Sequence, residues 1–268
     1  MIDLDDVSTY PVDIGKWVIE RKNFFLNIIP VHSYEFEYEI INKLQDVWFY
    51  DMPEFVEFQN KYQDTEFTGW HITRIEDLDA FRKQGILTMN GDIDIGIKRL
   101  DYYLNKKLRV EKDVYRLIIE KAKYFWNRDS GRTRNVCFFF TKAKIIDDPK
   151  AMMFAANLGG EILNWSLNAL DGEAYRKEPY KRLWIWGEPC RVKFKTQLKE
   201  MEKSTQSHII RELVFYFVMK DIYGCDYIPD DTGEKRGGVS SDCIMQIEKI
   251  ENYEDIMSQF ADFENFYE

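Results

Sequence analysis

Apolar residues recur along this chain with two different spacings, and the changes between them mark out its elements. Ile40, Ile41, Leu44 and Trp48 fall on one stripe of a 3.6-residue period, which predicts a helix over Glu37–Phe49. Pro53 opens a second helix, Glu54–Tyr62, at the one helical position where a missing N–H costs nothing. Val114, Leu117, Ile118, Ala122 and Phe125 share a face of a third, Glu111–Trp126, with acidic residues in its first turn. Ser204–Tyr223 is a fourth, with Ile209, Leu213 and Phe217 inward and Ile210 and Val214 as further inward candidates. A helix opening at Asp148-Pro149 runs through Phe154, Ala155 and Leu158, meets Gly159-Gly160-Glu161 and continues to Leu167. An acidic helix, Tyr253–Phe266, closes the chain.

Extended runs alternate with these helices. Phe67–Ile72 is rich in aromatic and β-branched residues, and Val136–Thr141 is continuously apolar, as a strand covered on both faces would be. Leu183–Trp186, Arg191–Phe194 and Asp242–Ile250 also read as strands, as do two short N-terminal pieces, Lys16–Ile19 and Phe24–Val31. Gly187-Glu188-Pro189 reads as a hairpin turn, Gly91–Gly96 as a turn, and Asp230–Gly238 as the clearest loop, either a lid or a connector. There is no regular βαβ rhythm. The expected class is therefore α+β, with a mixed or antiparallel split sheet and flanking helices. The expected organisation is a helical and strand extension over 1–66, packed on a core domain over 67–268 that ends in the acidic helix.

Composition narrows the chemistry. With 268 residues, 45% hydrophobic and 16% aromatic, the chain can bury a large core, which excludes disorder as its general state. A net charge of -10 repels nucleic acid and anionic lipid over most of the surface, arguing against non-specific nucleic-acid binding. Arg128, Arg132, Arg134, Lys142 and Lys144 form a local basic exception, read as a solvated turn or as a seat for an anionic substrate. Cys137, Cys190, Cys225 and Cys243 are far apart, as buried thiols of a reducing cytoplasm would be. His32, His71 and His208 have no ligand-like spacing to them, so no metal is expected. The first residues are acidic where a secretory leader is basic, and no apolar run reaches the roughly 20 residues of a membrane span, so a cytoplasmic protein without membrane contact is expected.

Three places carry candidate chemistry. His71-Ile72-Thr73-Arg74 ends a strand just before a short helix with Leu78, Phe81 and Arg82 at helical spacing, stopped by Gly85. Strand alternation puts His71 and Thr73 on one face, where both can hydrogen-bond a sugar hydroxyl or an amide, while Arg74 can grip a phosphate bidentately. The competing reading is a strand-end histidine that satisfies backbone groups. The glycine pair 159–160 costs about 1 kcal/mol per residue inside a helix, so it marks a kink, a helix junction or a close approach. Glu161 beside it can stabilise a developing cation or serve as a helix-start acid. Glu212 is the other glutamate in question; beside Arg211 it reads as part of a solvated helix face. Phosphate-loop, zinc-helix and nucleophile-elbow motifs are absent from the sequence.

The order His71-Ile-Thr-Arg74, Gly85-Ile86, Cys137-Phe-Phe-Phe-Thr141 and Gly159-Gly-Glu161, followed by a Gly-x-Pro-Cys hairpin, resembles a group of uncharacterised bacterial proteins and the ADP-ribosyltransferase-like fold. That fold includes the DNA-modifying toxins of toxin–antitoxin systems. The resemblance spans roughly Phe67–Phe194. It implies NAD as substrate in a cleft, with His71 and Thr73 on the ribose and nicotinamide side, Arg74 at the pyrophosphate and Gly160 giving backbone access. Glu161 would stabilise the oxocarbenium-like ribose as nicotinamide leaves, and Phe139 or Phe140 would take the stacking place that a tyrosine fills in the family. The family's catalytic glutamate comes from a late strand or the loop before it, whereas Glu161 falls in a helical pattern. The implied function is transfer of ADP-ribose from NAD to a nucleic-acid or protein acceptor, by a toxin or antiphage effector. The alternative is a non-catalytic interaction protein of a defence system on the same fold, docking through Phe260, Phe263 and Phe266.

Overall fold

A computed structural model describes residues 1–30, 37–46, 52–88, 93–107, 109–128, 134–147 and 187–251. Among these, helices and strands are mixed as in an α+β protein, and the strands form one open antiparallel sheet of five. The strands are β1 (Glu66–Ile75), β2 (Asn135–Phe139), β3 (Glu188–Gln197), β4 (Thr232–Arg236) and β5 (Ile244–Lys249), in the spatial order β4-β2-β1-β3-β5. The described strands thus make a single sheet in place of the expected split one. The helices are α1 (Val12–Glu20), α2 (Lys22–Ile28), α3 (Glu37–Asp46), α4 (Pro53–Lys61), α5 (Leu78–Gln84), α6 (Ile93–Asp101), α7 (Lys112–Arg128), α8 (Lys142–Asp147) and α9 (Lys203–Val218). The chain divides into two compact units. One is Met1–Gly69 with Phe138–Lys144 and Lys195–Glu234; the other is Trp70–Cys137 with Ile145–Phe194 and Lys235–Glu268.

In the first unit α9 is buried on nearly every side: Ile209, Ile210, Leu213, Val214, Phe215 and Val218 all lie inside. A helix with so few exposed positions belongs in a core, and α1 and α4 pack against it. α1 buries Ile14, Trp17 and Val18, and lies so close to α9 that a Cβ on Gly15 would sit 2.8 Å from the Phe217 ring. Trp17 meets Phe25 and Phe58 edge-on, with ring centroids 6.1 and 5.8 Å apart. Asp13 ties α1 to the end of α4, accepting from Lys61 Nζ at 2.6 Å and from the Tyr62 hydroxyl at 2.5 Å. Beyond α9 the chain makes a π-turn, Met219–Tyr223, closed by left-handed Gly224. The Tyr223 hydroxyl lies 2.8 Å from the carbonyl of Ile29 and 3.2 Å from that of Phe25, where the last turn of α2 has carbonyls to satisfy.

Two expectations are corrected here. Lys16–Ile19 and Phe24–Val31 read as strands in the sequence, but 16–19 lies in α1 and 24–28 in α2. Buried positions three and four apart decide the matter, and such short apolar runs do not by themselves separate helix from strand. The Asp230–Gly238 loop contains β4, an edge strand whose polar sequence Thr-Gly-Glu-Lys-Arg hides it. Gly233 is required in β4, because a Cβ there would lie 2.5 Å from Thr205 Cγ2 and 2.8 Å from the Phe138 ring.

In the second unit β3 pairs with β5 from Cys190↔Lys249 to Lys193↔Gln246, with an irregularity between Lys193 and Phe194. α7 faces inward with Ile118, Ile119 and Ala122. The turn expected over Gly91–Gly96 is from Ile93 onward the first turn of α6. α5 follows β1 as expected: Asp77 caps it by accepting from the N–H groups of Asp79 and Ala80, and Gly85 ends it at φ 74°. Residues 183–186, the helices expected over 148–167 and 253–266, and Val47–Phe49 lie outside the described residues.

Candidate functional site

His71 and Thr73 stand on the same face of β1, both half-buried, while Trp70 and Ile72 on the opposite face are buried. The imidazole Nδ1 of His71 lies 2.8 Å from the backbone carbonyl of Cys137 on β2. A carbonyl oxygen only accepts, so Nδ1 carries the hydrogen and Nε2 carries the lone pair. Desolvation lowers the pKa of His71 and outweighs the hydrogen bond to Cys137, which pulls the other way. The side chain is therefore a neutral acceptor of fixed tautomer at physiological pH. We expect nitrogen chemical shifts of the imidazole to report the Nδ1–H tautomer at pH 7, with titration below the ordinary histidine range. Because the folded-state value is depressed, His71 contributes stability above the unfolded value, and this is lost as pH falls through the folded one.

Arg74 follows on β1, half-buried, with its charge acting on the Cys190 thiol. Burial and then Glu188 push that thiol upward, against the pull of Lys249 and Arg74. Cys190 is thus a buried structural thiol, and all four cysteines are free. Beside it Lys193 Nζ sits 5.4 Å from the Trp70 ring centroid, and Arg191 lies 3.8 Å from Glu248.

The remaining expected site residues are distributed differently. Phe140 is fully buried in the first unit, its ring centroid 5.8 Å from that of Phe138. Gly160 and Glu161 lie outside the described residues, as does Arg132 of the expected basic cluster; Arg128 ends α7, and Arg134, Lys142 and Lys144 are described. Of these, Lys144 is paired with Asp230 at 3.3 Å.

Glu212 requires a correction. Its sequence context suggests a solvated helix face, yet only 2% of its surface is exposed. The Tyr227 hydroxyl approaches its Oε2 at 2.5 Å, and Arg211 Nη2 lies 3.1 Å from its Oε1. Arg211 Nη2 also reaches Asp231 Oδ2 at 2.7 Å, and His208 Nδ1 meets the same oxygen at 3.0 Å. His208, Arg211 and Glu212 are spaced three and four apart on α9, so one helix side presents all three to the chain that enters β4. Desolvation raises the pKa of Glu212 despite the Tyr227 and Arg211 contacts. Burial also opposes ionisation of Asp231, but hydrogen bonds from His208 and the Thr232 N–H, with the Arg211 charge, outweigh it and hold this carboxyl below its ordinary range. One signal for this cluster is present in the sequence: α9 has no wholly polar side, so a charge on it has to be buried and paired.

Among the described residues no group of His, Cys, Asp and Glu is arranged to hold a metal ion, and no helix is long and apolar enough to cross a membrane. No protein-family model matches the chain, and no curated protein or solved structure matches it either.

Proposed function

We propose that the chain transfers ADP-ribose from NAD to a macromolecular acceptor, nucleic acid or protein, in the cytoplasm, in the role of a toxin or antiphage effector. The observation that supports this reading is the His71 imidazole, anchored through Nδ1 to the Cys137 carbonyl so that Nε2 accepts, beside the Thr73 hydroxyl on the same strand face. That pairing suits the vicinal hydroxyls of a ribose, which must donate one hydrogen bond and can accept another. Arg74, next along β1, is assigned to the pyrophosphate for its charge and bidentate fork, although strand alternation sets it on the face of Trp70 and Ile72. In the reaction the bond between ribose C1′ and the nicotinamide nitrogen breaks, and nicotinamide leaves with the electron pair. The acceptor's nucleophilic atom then donates a pair to C1′ and gives up its proton. Glu161 is assigned the stabilisation of the positive ribose, the task a carboxylate performs in glycoside cleavage.

The test is nicotinamide release from labelled NAD in the presence of nucleic acid or lysate. Release is expected from the wild type and not from His71→Ala or Glu161→Gln, with melting temperatures within a few degrees, roughly the effect of one lost hydrogen bond. No release, together with no NAD binding by calorimetry, ends the proposal.

A further inference from the structure

Arg191 on β3 is a largely buried cation with a donor that the fold leaves unused. Its side chain is only 14% exposed, and its Nε–H is buried with no hydrogen-bond partner. Leaving a buried donor of a charged group unsatisfied costs more than a typical hydrogen bond contributes, so each instance calls for a reason. The neighbouring strand does not supply one. The register of β3 with β5 sets Glu248 opposite Arg191 and Gln246 opposite Lys193. Yet Glu248 Oε2 stands 3.8 Å from Arg191 Nη1, beyond hydrogen-bond reach, and its Oε1 accepts from Gln246 Nε2 at 2.8 Å. The carboxylate therefore addresses one corner of the guanidinium, Nη1. The Nε–H lies along the other edge, parallel to an N–H of Nη2, and such a pair is the fork that grips an oxyanion with two bonds.

A second cation stands in the same row. Strand alternation puts Lys193 on the side of β3 that carries Arg191, and Lys193 Nζ lies 5.4 Å from the Trp70 ring centroid. This is the face of Trp70 on β1, opposite the one that carries His71 and Thr73. All of these residues belong to the second unit. Arg191 and Lys193 together outweigh the charge of Glu248. A phosphate group, with a charge of about -1.5 to -2 at pH 7, therefore gains more there than a carboxylate does.

We propose that this face of β3 and β5 binds a phosphate group, with the Nε and Nη2 edge of Arg191 as its bidentate donor and Lys193 as the second charge. The site is separate from His71 and needs no cleavage of NAD.

The test follows the Arg191 Nε–H resonance by NMR while inorganic phosphate is added at constant ionic strength, with sodium acetate and sodium chloride as controls. Phosphate is expected to shift that resonance saturably and to slow its exchange with water, while acetate and chloride leave it in place. By calorimetry, phosphate affinity is expected to fall about tenfold or more in Arg191→Lys, which keeps the charge and loses the fork. Lys193→Gln is expected to weaken binding by a smaller factor. A second arm with a nucleoside monophosphate separates the sources: tighter binding than inorganic phosphate assigns the site to a phosphate carried on a larger ligand, and equal binding assigns it to the free ion. The proposal is overturned if phosphate acts no differently from chloride, or if acetate shifts the resonance as far. It is equally overturned if a folded Arg191→Lys binds phosphate as the wild type does. Should Arg191→Lys fail to fold, unchanged affinity in Lys193→Gln, a half-buried position, overturns it as well.

Discussion

Replacing Arg211 with alanine is expected to lower the unfolding free energy by about 3–5 kcal/mol at neutral pH, the cost of stranding a buried carboxylate. Arg211 is itself 18% exposed, touches both Glu212 and Asp231, and lays its guanidinium 5.5 Å from the centroid of the Phe215 ring. Its removal leaves two carboxylates facing each other with one fewer donor between them, and it leaves Glu212 in the core with Tyr227 alone. The opposite deletion is predicted to be mild. Glu212→Gln leaves Arg211 bound to Asp231, so we expect a change within about 1.5 kcal/mol, the net worth of a typical hydrogen bond. This asymmetry is the diagnostic result, because a merely solvated pair would lose less than about 1 kcal/mol whichever partner was removed. Urea unfolding of the two variants and their double mutant, with the urea dependence held constant, measures it. A loss below about 1 kcal/mol for Arg211→Ala would place the cluster in water rather than in the core.

The same cluster shows why sequence reading reaches some elements and misses others. α4 and α5 are readable because Pro53, Asp77 and Gly85 stand at ends where their own backbone or side-chain chemistry is needed, and α7 and α9 because their periodic runs are long. α1 and α2 are not, because runs of four to eight apolar residues fit either period until something is packed against them. β4 escapes for a different reason. An edge strand is selected to be polar and short, so Thr232–Arg236 carries the composition of a loop, and only the close approach of Thr205 and Phe138 to Gly233 shows what the glycine is for. Of the site, strand alternation is enough to put His71 and Thr73 on one face. The tautomer of His71 is beyond reach, because it depends on the Cys137 carbonyl, 66 residues away in the chain. Glu212 is misplaced because the Arg211-Glu212 pair looks like surface to any local rule. The sign against that lies in the flanking Ile209, Ile210, Leu213 and Val214, which leave the helix no side to turn to water.

Gly85→Ala is expected to be the most damaging single-methyl addition, costing about 3 kcal/mol or more, because two independent penalties meet at one residue. The first is conformational. At φ 74° and ψ -157° the backbone sits in a region that is nearly closed to residues with a Cβ, worth roughly 1–3 kcal/mol. The second is steric: the added Cβ would lie 2.1 Å from the Val239 carbonyl oxygen, which is backbone and cannot swing aside. That oxygen accepts from the Ile86 N–H at 2.9 Å, and Val239 N–H returns a bond to the Ile86 carbonyl at 2.8 Å, so relief of the clash breaks a two-bond staple. Two neighbouring glycines separate the penalties. Gly237 has φ 68° with nothing within 4 Å of its missing Cβ, so Gly237→Ala carries the conformational cost alone, about 1–2 kcal/mol. Gly238 is without a positive φ, but its Cβ would come 2.6 Å from the Ile86 carbonyl, so Gly238→Ala carries a steric cost alone, about 1–3 kcal/mol. Thermal or urea unfolding of the three variants should rank Gly85→Ala worst by a clear margin. A loss for Gly85→Ala no larger than that for Gly237→Ala would mean that the 85–86 and 238–239 segments separate freely, and that the end of α5 is not held by that staple.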